Sequence, residues 1–403
     1  MMKFVFYTIC VSPHQIPLAK EIASILGENN YRFIGQIPLP EGRSGMGWGN
    51  ADANLPWVVN EWECAEEARK LLEDSDVLMS GVRDVALFER RAARGLMTIY
   101  TSERWFKPWQ GMLRLLRLSY FKMAWHFVKL LRKNNKFYYF PMGIHAAHDM
   151  ARLCGLMNGD LRCLFSAPKL DFDRKPGGKI WLKSGGDGWR YCLDKMRMWG
   201  YFVAPSQYQA PHATYNSQPP TLNSIRVLWV GRLLKLKRVD TIIRAVGELS
   251  RSSSPADSNS NSNLKFTLDI YGTGPEESHL KRLAAKYGNG IKFYPSVSIV
   301  EVRKLMRSHD VYVLSSNAYE GWGAVISEAL EEEMLVLGSR EAGSSATILP
   351  ESNLFYASDW RKLMDLLSHP IANVFIGQWS AKNAARQVVE LCENYDNINC
   401  KCG

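Results

Sequence analysis

Short apolar runs alternate along this chain with longer stretches in which apolar side chains return every three or four residues. The runs Lys3 to Ile9, Tyr31 to Ile37, Asp76 to Gly81, Leu96 to Thr101, Phe137 to Met142 and Tyr201 to Ala204 read as strands. A second series follows at Ile225 to Val230, Phe266 to Tyr271, Ile291 to Tyr294, Val311 to Leu314 and Met334 to Leu337. Strands separated by helices predict an α/β protein whose mostly parallel sheets are covered on both faces. Between the two series Gln, Pro, His and Asn replace the apolar rhythm. This puts a linker at 207–223, an N-terminal domain at 1–206 and a C-terminal domain at 224–378. The stretch Trp379 to Cys392 lines Ala381, Ala384, Ala385, Val388, Val389 and Leu391 along one side, so 379–403 is expected to be a helix and tail packing back on the body.

Other segments break the pattern. Ser250 to Asn263 has almost no apolar side chain to bury and is expected to be a flexible surface insertion. The apolar start of the chain ends at Pro13 and reads as a first strand rather than a signal peptide. No run approaches the roughly 20 apolar residues that a membrane-spanning helix requires. The 403 residues exceed one ordinary core and suit two domains. Eight cysteines without a CxxC pair or zinc spacing favour a reducing compartment.

Charge adds one local feature. The net charge is +10, and from Arg104 to His148 there is no Asp or Glu, while Arg104, Lys107, Arg114, Arg117, Lys122, Lys129, Arg132, Lys133 and Lys136 are all basic. A candidate helix at 111–135 places Arg114, Arg117, Lys122, Lys129, Arg132 and Lys133 within about 160° of its circumference, opposite Leu113, Leu116, Tyr120, Met123, Phe127 and Leu131. Leu118, Phe121, Trp125 and Val128 sit among the basic positions, with Trp105 and Trp109 upstream. An ordinary surface helix has such a pattern, and so does one resting on anionic lipid headgroups. No RNA- or DNA-binding motif accompanies it.

The chemistry concentrates in three strand-to-helix turns. Val313 to Leu330 runs from a strand through a turn holding Gly321, Trp322 and Gly323 into a helix, with Glu320 and Glu328 eight positions apart. Glu328 is expected about two turns along that helix, with Glu320 just outside its mouth. A carboxylate there can accept hydrogen bonds from vicinal hydroxyls of a sugar, and the helix N-terminus favours an anion. A helix cap plus a solvated glutamate has the same spacing. After the second domain's first strand, Gly231-Arg232 is followed by Lys237, which can converge on a diphosphate or form a solvated basic loop. Tyr271-Gly272-Thr273-Gly274 ends another strand, although it is not the dinucleotide GxGxxG fingerprint. All three turns lie at strand C-terminal ends, where open α/β sheets bind ligands.

In order and spacing these turns resemble the nucleotide-sugar half of retaining glycosyltransferases of family 4, including those of bacterial surface-polysaccharide synthesis. The resemblance covers about 224–357 well and the first half in outline. It implies the GT-B fold, two Rossmann-like doubly wound parallel-sheet domains facing a central cleft. It also implies that Arg232 and Lys237 hold a donor diphosphate, with the turn Tyr271 to Gly274 beside the nucleobase, Glu320 near the donor sugar and Glu328 on the ribose. Gly231, Gly272, Gly274, Gly321, Trp322 and Gly323 complete the donor residues. In the first half, Ser12-Pro13-His14-Gln15 stands where the family has a glycine-rich loop, and Tyr100 where many members have histidine. Glu331-Glu332-Glu333 replaces the small residues usual after the second glutamate.

These readings imply transfer of a hexose-type sugar, with retention, from a nucleoside diphosphate sugar to a saccharide acceptor. No other cofactor and no metal are expected. Acceptor-side candidates are His14, Tyr100, Glu103, His145 and His148. His145 and His148, followed by Asp149, also suggest a metal site but no further ligand is assignable, and Asp171-Phe-Asp173 matches a glycosyltransferase Asp-x-Asp only by letter. A basic helix on a membrane makes a lipid-linked acceptor natural, in the cytoplasm or on the inner face of the cytoplasmic membrane. A nucleotide-sugar epimerase or hydrolase on the same scaffold, and a non-catalytic basic membrane- or nucleic-acid-binding protein, are the alternative readings.

Overall fold

The computed structural model describes residues 2–40, 55–108, 111–183, 190–207, 224–252, 265–371 and 379–399. Most of the expected linker (208–223), most of the polar insertion (253–263), Trp109 and the tail beyond 399 lie outside them. The chain forms two compact units, the first from Met1–Ser44, Gly49–Ala204 and Gln378–Gly403 and the second mainly from Pro205–Gly377.

In the first unit β1 (Phe4–Thr8), β2 (Tyr31–Gly35), β3 (Val58–Asn60), β4 (Val77–Ser80), β5 (Met97–Ser102) and β6 (Phe137–Pro141) make one parallel sheet in the order β3-β2-β1-β4-β5-β6. All five residues of β1 are buried, as a strand covered on both faces requires. The covering helices are α1 (Ile16–Leu26), α2 (Ala65–Asp74), α3 (Val85–Ala93), α4 (Leu118–Lys133) and α5 (Ile144–Met157). A two-stranded hairpin, β7 (Leu170–Phe172) and β8 (Ile180–Leu182), and a short α6 (Arg190–Asp194) follow.

The second unit repeats the pattern with β9 (Ser224–Val230), β10 (Lys265–Tyr271), β11 (Ile291–Tyr294), β12 (Val311–Leu314), β13 (Leu335–Ser339) and β14 (Leu354–Phe355). Its sheet is parallel in the order β11-β10-β9-β12-β13-β14. Between the strands run α7 (Val239–Ser252), α8 (Glu277–Ala284), α9 (Ile299–Arg307), α10 (Val325–Glu331) and α11 (Gly343–Ile348), with α12 (Trp360–Ser368) after the last strand. The amphipathic α7 buries Ile242, Ile243, Val246 and Leu249 into a core built on Val227, Trp229, Leu268 and Ile270. Ser298 and Asp359 cap α9 and α12 by accepting from first-turn N–H groups. The last helix, α13 (Ala381–Asn399), packs on α1 of the first unit.

Three expectations need correction. Tyr201 to Ala204 forms no strand: Met196 and Trp199 already bridge to the edge of β6 at Tyr139 and Met142, so Phe202 and Val203 are buried without ladder hydrogen bonds. The helix at 111–135 is broken. A 3₁₀ turn spans Gly111–Leu116, Arg117 is extended (ψ 114°), and only then does α4 begin. Arg114 and Tyr120, one on each side of the break, both donate to Trp105 O, at 2.9 and 3.0 Å. Leu113 and Leu116, expected against the sheet, are therefore exposed, while Val128, expected among the basic positions, is buried.

Candidate functional site at the strand ends of the second unit

Reading across the second sheet, the winding reverses between β9 and β12. Such a reversal leaves a crevice outside the strand C-terminal ends, the usual ligand position in open sheets. The turns there are bolted to one another by backbone. Gly231 N donates to Tyr271 O (3.0 Å), Leu233 N to Thr273 O (2.9 Å) and Glu276 N to Leu233 O (3.1 Å). At Gly272 (φ +150°) a Cβ would lie 1.8 Å from Gly231 O, so only glycine permits the two turns to touch.

The turn after β12 is tied to the first in the same way. Asn317 N donates to Leu236 O (2.8 Å) and Ser315 Oγ to Lys237 O (2.7 Å). These bonds bring together two residues 83 positions apart, and Lys237 Nζ meets Glu320 Oε2 at 2.5 Å. Both side chains are largely shielded, at 21 % and 14 % exposure. Gly323 takes a left-handed φ of +82°, which turns the chain into α10. Behind it Gly343 N donates to Gly321 O (3.1 Å), Ser344 N to Trp322 O (2.8 Å) and Ser344 Oγ to Gly323 O (2.9 Å). Trp322 is buried and forms part of the floor of this turn.

Glu328 lies about one turn into α10, not two, because the helix starts only at Val325. Its carboxyl is buried, and burial pushes its pKa up against the opposing pull of Arg303. Tyr312 of β12 is raised well above the ordinary phenol range, first by burial and then by the charges of Glu328 and Glu320. Both carboxylates thus act on one buried phenol, at the strand beside the reversal. Arg232 is exposed, and its guanidinium has no hydrogen bond or ion pair among the described residues. Tyr271 stacks on Tyr294 at 4.5 Å and 12° between ring planes. Ser316 Oγ and Ser327 Oγ are buried in the same region of chain without a partner among the described residues, which calls for an explanation in any native fold.

Residues 216–373 match the family model described as glycosyl transferases group 1. The second unit carries a glycosyl transferases group 1 domain. An uncharacterized glycosyltransferase of Methanocaldococcus jannaschii is 34 % identical over 113 residues, which span 28 % of this chain and 26 % of that relative. Among solved structures, Anabaena HepE in complex with UDP and glucose aligns with a TM-score of 0.56 at 12 % identity, over 99 % of this chain and 100 % of that one. A glycosyltransferase from Rickettsia africae aligns at 0.57 and 13 % identity, over 98 % of each chain. The lipopolysaccharide outer core galactosyltransferase WaaB aligns at 0.54 and 13 % identity, over 99 % of this chain and 100 % of that one. With two parallel six-stranded sheets, these likenesses establish the GT-B fold.

Outside the group 1 domain, the first unit's candidates are dispersed. In the Ser12-Pro13-His14-Gln15 turn the amides of Gln15 and Ile16 donate to Ser12 O, at 2.9 and 3.3 Å, so the turn closes on itself. His14 is half-buried, its ring 6.3 Å from that of Tyr201. Tyr100 lies in the core between Phe88, Phe127 and Tyr139, and its hydroxyl accepts from Arg83 Nε at 2.9 Å. That burial removes Tyr100 from direct contact with any ligand and leaves Arg83 as the polar group beside it. Glu103 is half-buried just past the end of β5, and His145 is half-buried in the first turn of α5. His148 Nδ1 donates to Pro168 O (3.0 Å) with its pKa lowered by burial, and Asp149 accepts from Arg104 and from Phe106 N. His148 and Asp149 are thus engaged as structural groups.

Two features of the second unit escaped the sequence reading. Glu332, in the acidic run after Glu328, is buried and clamped by Arg303, by Arg307 at 3.4 Å and by Ser206 Oγ at 2.9 Å. Glu341 accepts from Ala318 N (3.1 Å) and Ala357 N (3.2 Å), holding the Glu320 turn from behind. The four-residue spacing of Arg303 and Arg307 on an amphipathic helix was the available signal for the first. Nothing comparable marks Glu341.

Proposed function

We propose that this chain transfers a hexose-type sugar from a nucleoside diphosphate sugar to a saccharide acceptor, with retention at the anomeric carbon. The observation that carries the reading is the Lys237–Glu320 pair at the sheet's reversal point, inside the group 1 domain, with the unpaired Arg232 beside it. A shielded lysine whose charge is matched by a carboxylate is held in one orientation. An arriving diphosphate then meets two donors of different geometry, a fork from Arg232 and a point charge from Lys237.

In this reading the bond between the anomeric carbon and the donor phosphate oxygen breaks as the acceptor hydroxyl oxygen bonds to that carbon. The acceptor proton passes to the leaving phosphate oxygen, and the nucleoside diphosphate departs. Arg232 and Lys237 stabilise the charge that develops on it. Glu320 sits near the sugar, Glu328 accepts from ribose hydroxyls, and the Tyr271 to Gly274 turn flanks the base. The buried hydroxyls of Ser316 and Ser327 support a polar ligand in this region. No metal enters this scheme. The first unit would hold the acceptor, with His14, Glu103, His145 and Arg83 as polar groups to examine. A lipid-linked saccharide of bacterial surface-polysaccharide assembly, met on the inner face of the cytoplasmic membrane, is the acceptor class we favour.

UDP is the nucleotide to test first, because HepE of like fold was solved with UDP. Thermal-shift titration of the full chain against UDP, GDP, ADP and their hexose conjugates should give a concentration-dependent rise for one nucleotide. No shift with any of them would refute the donor site. An altered or liberated sugar from donor alone at an undiminished rate would instead indicate an epimerase or hydrolase.

A further inference from the structure

We propose that the solvent face of α4, together with the 3₁₀ turn before it, is a docking surface for a bilayer containing anionic phospholipid. The inference rests on side-chain placement in the first unit and is independent of the donor site.

Among the described residues, five large hydrophobic side chains stand exposed between Leu113 and Trp125: Leu116 at 82 %, Leu113 at 68 %, Leu118 at 67 %, Trp125 at 46 % and Phe121 at 38 %. A water-soluble surface seldom gathers such groups in one patch unless something covers them. They are not there through loose packing of the helix. The opposite side of α4 buries Ala124, Phe127, Val128, Leu130 and Leu131, which fixes the face that looks outward.

That outward face is mixed in a particular way. At 100° per residue, Leu118, Phe121 and Trp125 share an arc of about 120° with the exposed Lys122, Lys129, Arg132 and Lys133. The chain from Arg104 to His148 supplies no acid to it. Glu89 of the neighbouring α3 borders the Lys129 and Lys133 end, where its carboxylate is engaged by His126 Nδ1 at 2.6 Å. Arg114 is not among the available cations, since it donates to Trp105 O and lies over the Tyr120 ring.

Charge complementarity selects the occupant. A protein interface with leucines and tryptophan at its centre excludes lysine from that centre. A nucleic acid would use the cations and leave three leucines without purpose. At the headgroup level of a bilayer both kinds of side chain are satisfied at one depth, apolar groups in the acyl boundary and cations extended to phosphate. The break at Arg117 assists, because it turns Leu113 and Leu116 outward to extend the apolar patch beyond the end of α4.

The test is flotation of the full chain with vesicles of phosphatidylcholine alone or mixed with phosphatidylglycerol. We expect partition onto the mixed vesicles only, weakened but not abolished by salt. Leu116→Ser, Leu118→Ser and Trp125→Ser combined should lower it by about ten-fold or more. Lys129→Ala and Lys133→Ala should each lower it about five-fold. Tryptophan quenching by brominated acyl chains should fall markedly in Trp125→Leu. Unchanged melting temperatures would show that these exposed substitutions leave the fold intact. Failure to float with the mixed vesicles would overturn the proposal, as would flotation insensitive to the serine substitutions, which means adsorption by charge alone. A concentration-dependent dimer, or binding of duplex DNA or RNA, that is lost in the same serine variant would assign the patch to those partners instead.

Discussion

The two units share one strand order yet treat their strand ends in opposite ways. In the second, glycine turns meet backbone to backbone and leave Arg232 exposed on the segment after β9 that also carries Lys237, itself shielded in its pair with Glu320. In the first, the corresponding ends are filled. The turn after β1 closes on Ser12 O, Arg83 is bound to the Tyr100 hydroxyl with its guanidinium 4.1 Å from the Trp105 ring, and Arg104 is spent on Asp149. Topology alone therefore does not make a site. What the loops leave unsatisfied at the strand ends does.

The sharpest way to break this contrast is to remove one cation from each unit. Lys237→Ala should lower transfer by about two to three orders of magnitude in a donor-turnover assay, the scale of deleting one charge-stabilising group. Arg83→Ala should leave the affinity for the donor nucleotide unchanged by calorimetry. Next in size is Glu332→Ala. It removes a buried carboxylate that accepts from the half-buried Arg303 and Arg307, and urea unfolding should report a loss of about 2–3 kcal/mol. Gly272→Ala forces apart two turns that touch, and we expect it to destabilise by about 2 kcal/mol or more, with loss of the nucleotide-induced thermal shift.

The smallest expected effect carries a sign. Burial raises the Glu328 carboxyl in the folded state, so between the ordinary carboxyl value and the raised one the native state holds the extra proton. Stability attributable to this group therefore falls as pH rises through that window. Glu328→Gln removes the penalty and should raise the melting temperature at neutral pH, while weakening nucleotide binding. If both stability and binding fall, Glu328 is a structural anchor and not a ribose ligand.

Much of this architecture could be read from the chain because central strands such as β1 and β12 are buried on both faces and appear as short, mainly apolar runs. The edge strands β3 and β14, of three and two residues, are too short to show a period. The break at Arg117 was hidden for a related reason. A 3₁₀ turn and an α-helix both bring back apolar residues at a spacing of three, and what separates them is the Trp105 carbonyl, reached from both sides. Motif spacing singled out Arg232, Lys237, Glu320 and Glu328 as candidates, because each belongs to a turn leaving a strand C-terminal end or to the helix that the turn opens. The clamp on Glu332 was legible only in part: the spacing of Arg303 and Arg307 marks the cations, but nothing in the sequence pairs them with Glu332 or with the distant Ser206. The same holds for Tyr100, whose hydroxyl accepts from Arg83, 17 positions earlier at another strand end.

Chain order adds a consequence of its own. Residues 381–399 form α13, which joins the first unit by packing on α1, although the whole second unit is synthesised before them. A ribosome making this protein thus completes the later sheet while the earlier one still lacks a helix, with α1 unaccompanied until residues 381–399 emerge. Completion of the first unit in this way waits on a segment made after the second, and a chain cut before Ala381 would carry a finished second unit attached to an unfinished first.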